Sequence, residues 1–224
     1  MNDADRLIQQ LAARAAPVRR LAPPLRRTLL WLAVALTIIA VVIASHGPRP
    51  DLTRALAGPA AAIQWLASLL TGAVAAYAVF QISVPGRSPS WAWLPLPASM
   101  LWLLGLGWGC VRDFARFGGD AFAFDAASAE CAWTITLVSL PLALTLLLMV
   151  RHAGVVRPAP TALLAALSAA ALSAAAVSLI HEGETALMVL LWHAGAVVLL
   201  SLLSWAFGRQ LFGWIGYARR EGLG

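Results

Sequence analysis

Residues 26–46 read RRTLLWLAVALTIIAVVIASH: two arginines, then a run from Thr28 to Ser45 without one charged side chain. About 20 apolar residues in helical form cross roughly 30 Å of hydrocarbon, so this stretch reads as a transmembrane helix. Five more windows of the same kind follow, at 59–83, 92–111, 131–150, 160–179 and 186–207, and none of the six holds Asp, Glu, Arg or Lys. A charge at mid-bilayer costs about 2.5–3.5 kcal/mol on insertion scales, so their absence is a signature of membrane insertion. The composition agrees: 61% of the 224 residues are hydrophobic and 12% charged, with a mean hydropathy of +0.79. Those values exclude an ordinary soluble globular protein.

The expected fold is therefore an all-α integral membrane protein, a six-transmembrane-helix bundle with a short cytoplasmic N-terminal amphipathic helix. The chain divides into a cytoplasmic N-terminal tail (1–27), a transmembrane domain (28–207) and a cytoplasmic C-terminal tail (208–224). A cleaved signal peptide is the rival reading of the first 45 residues, but the polar region ahead of the apolar run is too long for one.

Orientation follows from the arginines, which supply all 16 basic residues. An even number of spans places both termini on one side. That side holds Arg6, Arg14, Arg19, Arg20, Arg26, Arg27, Arg87, Arg151, Arg157, Arg209, Arg219 and Arg220. Only Arg49, Arg54, Arg112 and Arg116 fall opposite, so the positive-inside rule puts both termini in the cytoplasm. Asp51, Asp113, Asp120, Asp125, Glu130, Glu182 and Glu184 lie on the outer side. The net charge of +6 thus describes a basic cytoplasmic face beside lipid, not a surface for direct nucleic-acid binding.

Ahead of the first span, DADRLIQQLAARAAPV (3–18) begins with two acids at a helix start and carries Leu7, Ile8, Leu11 and Ala15 on one stripe, the pattern of an amphipathic helix. Pro17, Pro23 and Pro24 stop it from running into the membrane helix, because proline lacks the amide donor and restricts the residue before it. Beside these prolines, Arg19, Arg20, Arg26 and Arg27 read as an orientation signal attracted to anionic lipid at about 1 kcal/mol each. Lipid attraction accounts for Arg26 and Arg27; it does not account for the apolar stripe farther out.

Within the spans, the fifth is nearly all Ala, Leu and Ser, and small residues let helices approach closely, so it belongs inside the bundle. Pro141 should bend the fourth span. Outside, 112–130 reads as the one sizeable loop. The two cysteines, Cys110 and Cys131, end the third span and begin the fourth, at similar depth. A disulfide requires Cα atoms about 4.4–6.8 Å apart, which neighbouring helices permit; a structural staple, two unpaired thiols, or a redox or soft-metal sensor all fit these residues. His181, beside Glu182 and Glu184, is a candidate third member of a mixed site, or a solvated loop histidine. His193 lies inside the sixth span, where an ionisable group is a functional suspect or a neutral imidazole bonded to a neighbour. No catalytic metal motif, nucleophile elbow or phosphate loop appears, so neither enzyme activity nor a cofactor is expected. A small multi-pass transporter or channel is the alternative function.

The segments LIQQLAARAAPVRRLAPPLRRTLLWL, WGC, ECAW and SLIHEGETALMVLLWHAGAVVLLSLLSWAFGRQLFGW together resemble the NrsF family of bacterial anti-sigma factors, and PVRRLAPP (17–24) is the most specific part. The resemblance spans essentially the whole chain. It implies a six-helix inner-membrane regulator that sequesters an extracytoplasmic-function sigma factor and releases it on an envelope, metal or oxidative signal, with outward cysteines involved. On that basis Leu7, Ile8, Leu11, Pro17, Val18, Arg19, Arg20 and Leu21 form the candidate sigma-factor-binding segment: the apolar residues would anchor a helix in a groove and the arginines would pair with acidic residues of the partner. Cys110, Cys131 and His181 form the candidate redox- or metal-sensing set. The sequence departs from the family pattern at Glu182, where a cysteine often follows the histidine, and at His193, where tyrosine is expected.

Overall fold

Inside a bilayer every backbone amide must find its partner within the protein, and a helix does this within one segment. A computed structural model describes residues 3–14, 21–122, 129–153, 155–180 and 186–215, with no strand among them. In chain order the helices are α1 (Asp3–Arg14), α2 (Pro24–His46), the short α3 (Leu52–Ala57), α4 (Pro59–Ile82), α5 (Leu96–Phe117), α6 (Ala129–Val150) and α7 (Pro158–Val177). A last apolar helix is assembled from α8 (Ala186–Val189), a π-helical turn (Leu190–Ala194) and α9 (Gly195–Ala206), and α10 (Gly208–Trp214) follows. Six helices among the described residues are long and apolar enough to cross a membrane, and they coincide with the six windows of the sequence.

Helix starts follow simple chemistry. Pro24, Pro59 and Pro158 each occupy the first helical position, where the missing N–H costs nothing and the fixed φ suits the helix. Pro141 lies inside α6 and deprives the Leu137 carbonyl of its helical donor.

The alanine-rich α7 is the axis of the bundle, with 83% of its apolar window buried against 22–50% for the other five. Its small side chains are the cause. At the crossing with α4, a Cβ added to Gly72 would stand 2.6 Å from Leu172 Cγ and 3.0 Å from the Ser168 carbonyl oxygen, so only glycine fits. The two backbones come close enough for reciprocal hydrogen bonds: the Ser68 hydroxyl donates to the Ala171 carbonyl at 2.9 Å, and the Ser168 hydroxyl donates to the Gly72 carbonyl. Trp65 Nε1 adds a third bond to the Ala175 carbonyl at 3.0 Å. Close packing and interhelical hydrogen bonds are the forces available where lipid removes the hydrophobic drive between helices. Gly208 plays a similar part at the start of α10, where a Cβ would lie 2.7 Å from the Ala159 Cα; α10 thereby seats Phe212 in the core.

Bonds between distant segments show that the helices alternate in direction. At the end where α2 begins, Arg27 reaches the Met149 carbonyl at the close of α6, and Arg157 donates to the Arg87 carbonyl across two connections. At the far end, the Arg49 amide donates to the Leu179 carbonyl at 2.9 Å.

One boundary differs from the sequence reading. The third apolar helix does not end near Cys110 but continues to Phe117, so residues 112–117 are helix rather than loop. Arg112, Asp113 and Arg116 lower the hydropathy without opposing helix formation. The stop is Gly118, whose φ of +58° is open to glycine at little cost.

Candidate functional site

At the amino terminus, α1 carries Asp3 and Asp5 in its first turn, where carboxylates complement the helix dipole. Its apolar stripe is uncovered: Leu7, Ile8 and Leu11 are 56, 63 and 62% exposed. Leu21, on the connector, is also exposed. The remaining members of the candidate binding segment, Pro17, Val18, Arg19 and Arg20, lie outside the described residues. Beyond them, Pro23 is extended (φ −52°, ψ 144°) and α2 starts at Pro24, so the two helices are separate elements. An exposed row of leucine and isoleucine on one face of a short helix is suited to docking in an apolar groove.

The connector is fastened to the bundle by Arg27, contrary to its reading as a lipid-facing charge. The side chain is buried, with Nη2 donating to the Met149 carbonyl at 2.6 Å and the guanidinium carbon 4.5 Å from the Phe80 ring centre. A guanidinium combines a fixed donor fork with a flat face able to stack on an aromatic ring, so one residue joins α2 to α4 and α6. The physical reason is helical geometry. Arg27, Trp31, Ala35 and Ile39 recur every fourth residue and are buried together, while Arg26, one residue earlier, stays exposed.

The far end holds the sulfur candidates. Cys110, partly exposed on α5, is a free thiol. Cys131 belongs to the first turns of α6, but its side chain lies outside the described residues, as does His181. Among the described residues, no three of His, Cys, Asp and Glu cluster as a metal site would require.

Next to Cys110 is a junction that the sequence reading did not identify. Asp113 Oδ2 accepts the Ala186 amide at 2.8 Å, capping the start of the last apolar helix, and a Cβ on Gly109 would lie 2.8 Å from the Ala186 Cβ. Cys110 thus lies on the stretch of α5 that holds the last helix in place. The signal available beforehand was an acid at the outer end of a span; what it caps is 73 residues away and leaves no local pattern. His193, the other histidine singled out, is buried in the π-helical turn.

With these positions established, the comparisons with known proteins give one result. A family described as NrsF, negative regulator of sigma F, matches residues 11–214, a span that includes the proline-arginine connector and all six apolar helices. No curated protein and no solved structure matches the chain. A match over nearly the whole length places the sequence by its entire architecture and not by one motif, and the chain belongs to the NrsF family of negative regulators of a sigma factor.

Proposed function

We propose that this protein is an anti-sigma factor of the bacterial inner membrane, with both termini cytoplasmic, which holds an extracytoplasmic-function sigma factor through its amino-terminal tail. The observation that carries the reading is the uncovered Leu7, Ile8 and Leu11 stripe on α1 in a chain whose family regulates a sigma factor negatively. Sequestration requires binding alone, and no catalytic group is called for. The apolar stripe would enter a groove of the partner while Arg19 and Arg20 pair with its acidic residues.

Release is proposed to start at the far end. Oxidation or metal capture at Cys110 and Cys131, with His181 as a further ligand of the metal, would shift α5 against α6. Because α5 also caps the last helix through Asp113, the movement would spread to that helix. The basic end of the bundle, where Arg27, Arg87, Arg151, Arg157 and Arg209 gather, supports the cytoplasmic assignment.

Two variants in a sigma-dependent reporter strain test this. Deletion of residues 1–20 should give constitutive reporter expression, and a reporter that fluoresces only in the cytoplasm should be bright when fused after Gly224. A repressed reporter in the deletion strain would overturn the hook; a dark fusion would overturn the orientation.

A further inference from the structure

The connection between α4 and α5, SVPGRSPSWAWLPLP (83–97), holds Arg87, Trp91 and Trp93 but no Asp or Glu. Within it, Pro89–Trp93 forms a 3₁₀ turn, capped by the Ser88 hydroxyl, which accepts the Ser90 amide at 3.2 Å. The turn folds back on α4. Trp91 meets Tyr77 edge-to-face with ring centres 5.8 Å apart, and Tyr77 lies five residues before the end of α4, about 7.5 Å along its axis at 1.5 Å per residue. Trp91 packs against the core, while Trp93 is 71% exposed. Pro89–Asp120 is one apolar stretch of 32 residues, longer than the roughly 20 that cross the hydrocarbon. Its first residues therefore lie at headgroup depth, where tryptophan is favoured.

A groove of about 380 Å³ opens here, lined by Ser90, Trp91, Trp93, Leu94 and Pro97. We propose that it seats one glycerophospholipid whose headgroup bears a net negative charge. A groove on the outside of a membrane bundle is filled by lipid, and this one has the volume of about a dozen waters at roughly 30 Å³ each, enough for a glycerol and the first methylenes of its chains. The indole rings supply an apolar body with a polar N–H edge, which suits that boundary.

The rim selects the headgroup. Arg87 is exposed and three residues from Ser90, no more than about 11 Å away along the chain. Arg157, from the connection between α6 and α7, is held beside it by an Nη1 bond to the Arg87 carbonyl at 3.2 Å. That acceptor is neutral, so the guanidinium charge is not compensated. Among the described residues no carboxylate pairs with Arg87 or Arg157, and 151–157 contains no Asp or Glu. Two like charges gathered at one rim repel, and a phosphodiester beside them offsets the repulsion through charge-assisted hydrogen bonds. Basic pockets at the cytoplasmic side of membrane helices recognise anionic lipid in this way. A zwitterionic lipid brings the same phosphate with an ammonium that the arginines repel, and a free phosphate would leave the aromatic groove unused.

The test is native mass spectrometry of the purified full-length protein titrated in detergent with phosphatidylglycerol or, separately, with phosphatidylcholine of the same acyl chains. The wild-type protein should bind phosphatidylglycerol saturably and at least tenfold more tightly than phosphatidylcholine. Arg87→Gln together with Arg157→Gln should weaken phosphatidylglycerol at least tenfold and leave phosphatidylcholine within twofold, which also shows that the variant is folded. Arg116→Gln, at an exposed arginine of the far end, should change neither. Trp93→Ala should weaken both lipids, because it removes a wall of the groove and not its charge. Equal binding of the two lipids to the wild-type protein, a phosphatidylglycerol preference that survives in the double variant, or an equal loss in Arg116→Gln would overturn the inference. No sigma factor is present in the assay, so its failure would remove this site and leave the proposed function standing.

Discussion

The Arg27 guanidinium donates to the Met149 carbonyl at 2.6 Å across 122 residues of sequence, and this bond is where the amino-terminal segment becomes part of the bundle. Whatever pulls on the connector acts on α2 through a residue held by α4 and α6. A hook on a loose tether would transmit nothing; one fastened here is coupled to the packing of three helices.

Replacing Arg27 by alanine should lower the stability of the detergent-solubilised protein by about 1–3 kcal/mol, the range for a buried charged hydrogen bond that loses one partner. Arg26→Ala, at an exposed position, should stay within about 0.5 kcal/mol. Thermal melts followed by circular dichroism separate the two. Arg27→Lys should fall between them, because it keeps the charge and loses the planar fork and the stacking face.

Gly72→Ala should destabilise by about 1–3 kcal/mol, as expected for overpacking a tight contact, since its new methyl meets Leu172 and the Ser168 backbone. Gly107→Ala, with nothing within 4 Å of the added atom, should be neutral or gain up to about 1 kcal/mol from helix propensity. Equal losses at both sites would contradict the close crossing of α4 and α7.

Serine at both Cys110 and Cys131 should leave the reporter repressed without inducer and abolish its response to oxidant or thiophilic metal. The readout is reporter activity with and without the inducer in strains matched for protein level. An unchanged response would remove the thiols from the release mechanism.

The spans were legible because each is a long window free of charge, and α7 could be placed at the centre because alanine and serine have little else to offer a membrane helix. The exposed stripe on α1 was legible from its spacing. Other features depend on contacts between distant segments. Arg26 and Arg27 are adjacent and chemically identical, and only the rotation of α2 in the bundle decides which is buried. The extension of α5 to Phe117 was hidden by three charged residues that reduce hydropathy and keep helical geometry. The cap of Ala186 by Asp113 and the bond from Arg157 to the Arg87 carbonyl are likewise products of helix packing. The π-helical turn has no side-chain signature, since it is an extra residue in an otherwise ordinary apolar run.

The most direct test of the account is affinity capture of the full-length, epitope-tagged protein from membranes of its own cells, followed by mass spectrometry, for the wild-type chain and for a variant carrying Leu7→Asp, Ile8→Asp and Leu11→Asp together. The wild-type chain should retain an extracytoplasmic-function sigma factor, and the variant, inserted at the same level, should lose at least nine-tenths of it. Absence of any sigma factor from the wild-type capture, or equal recovery with the variant, would contradict the account.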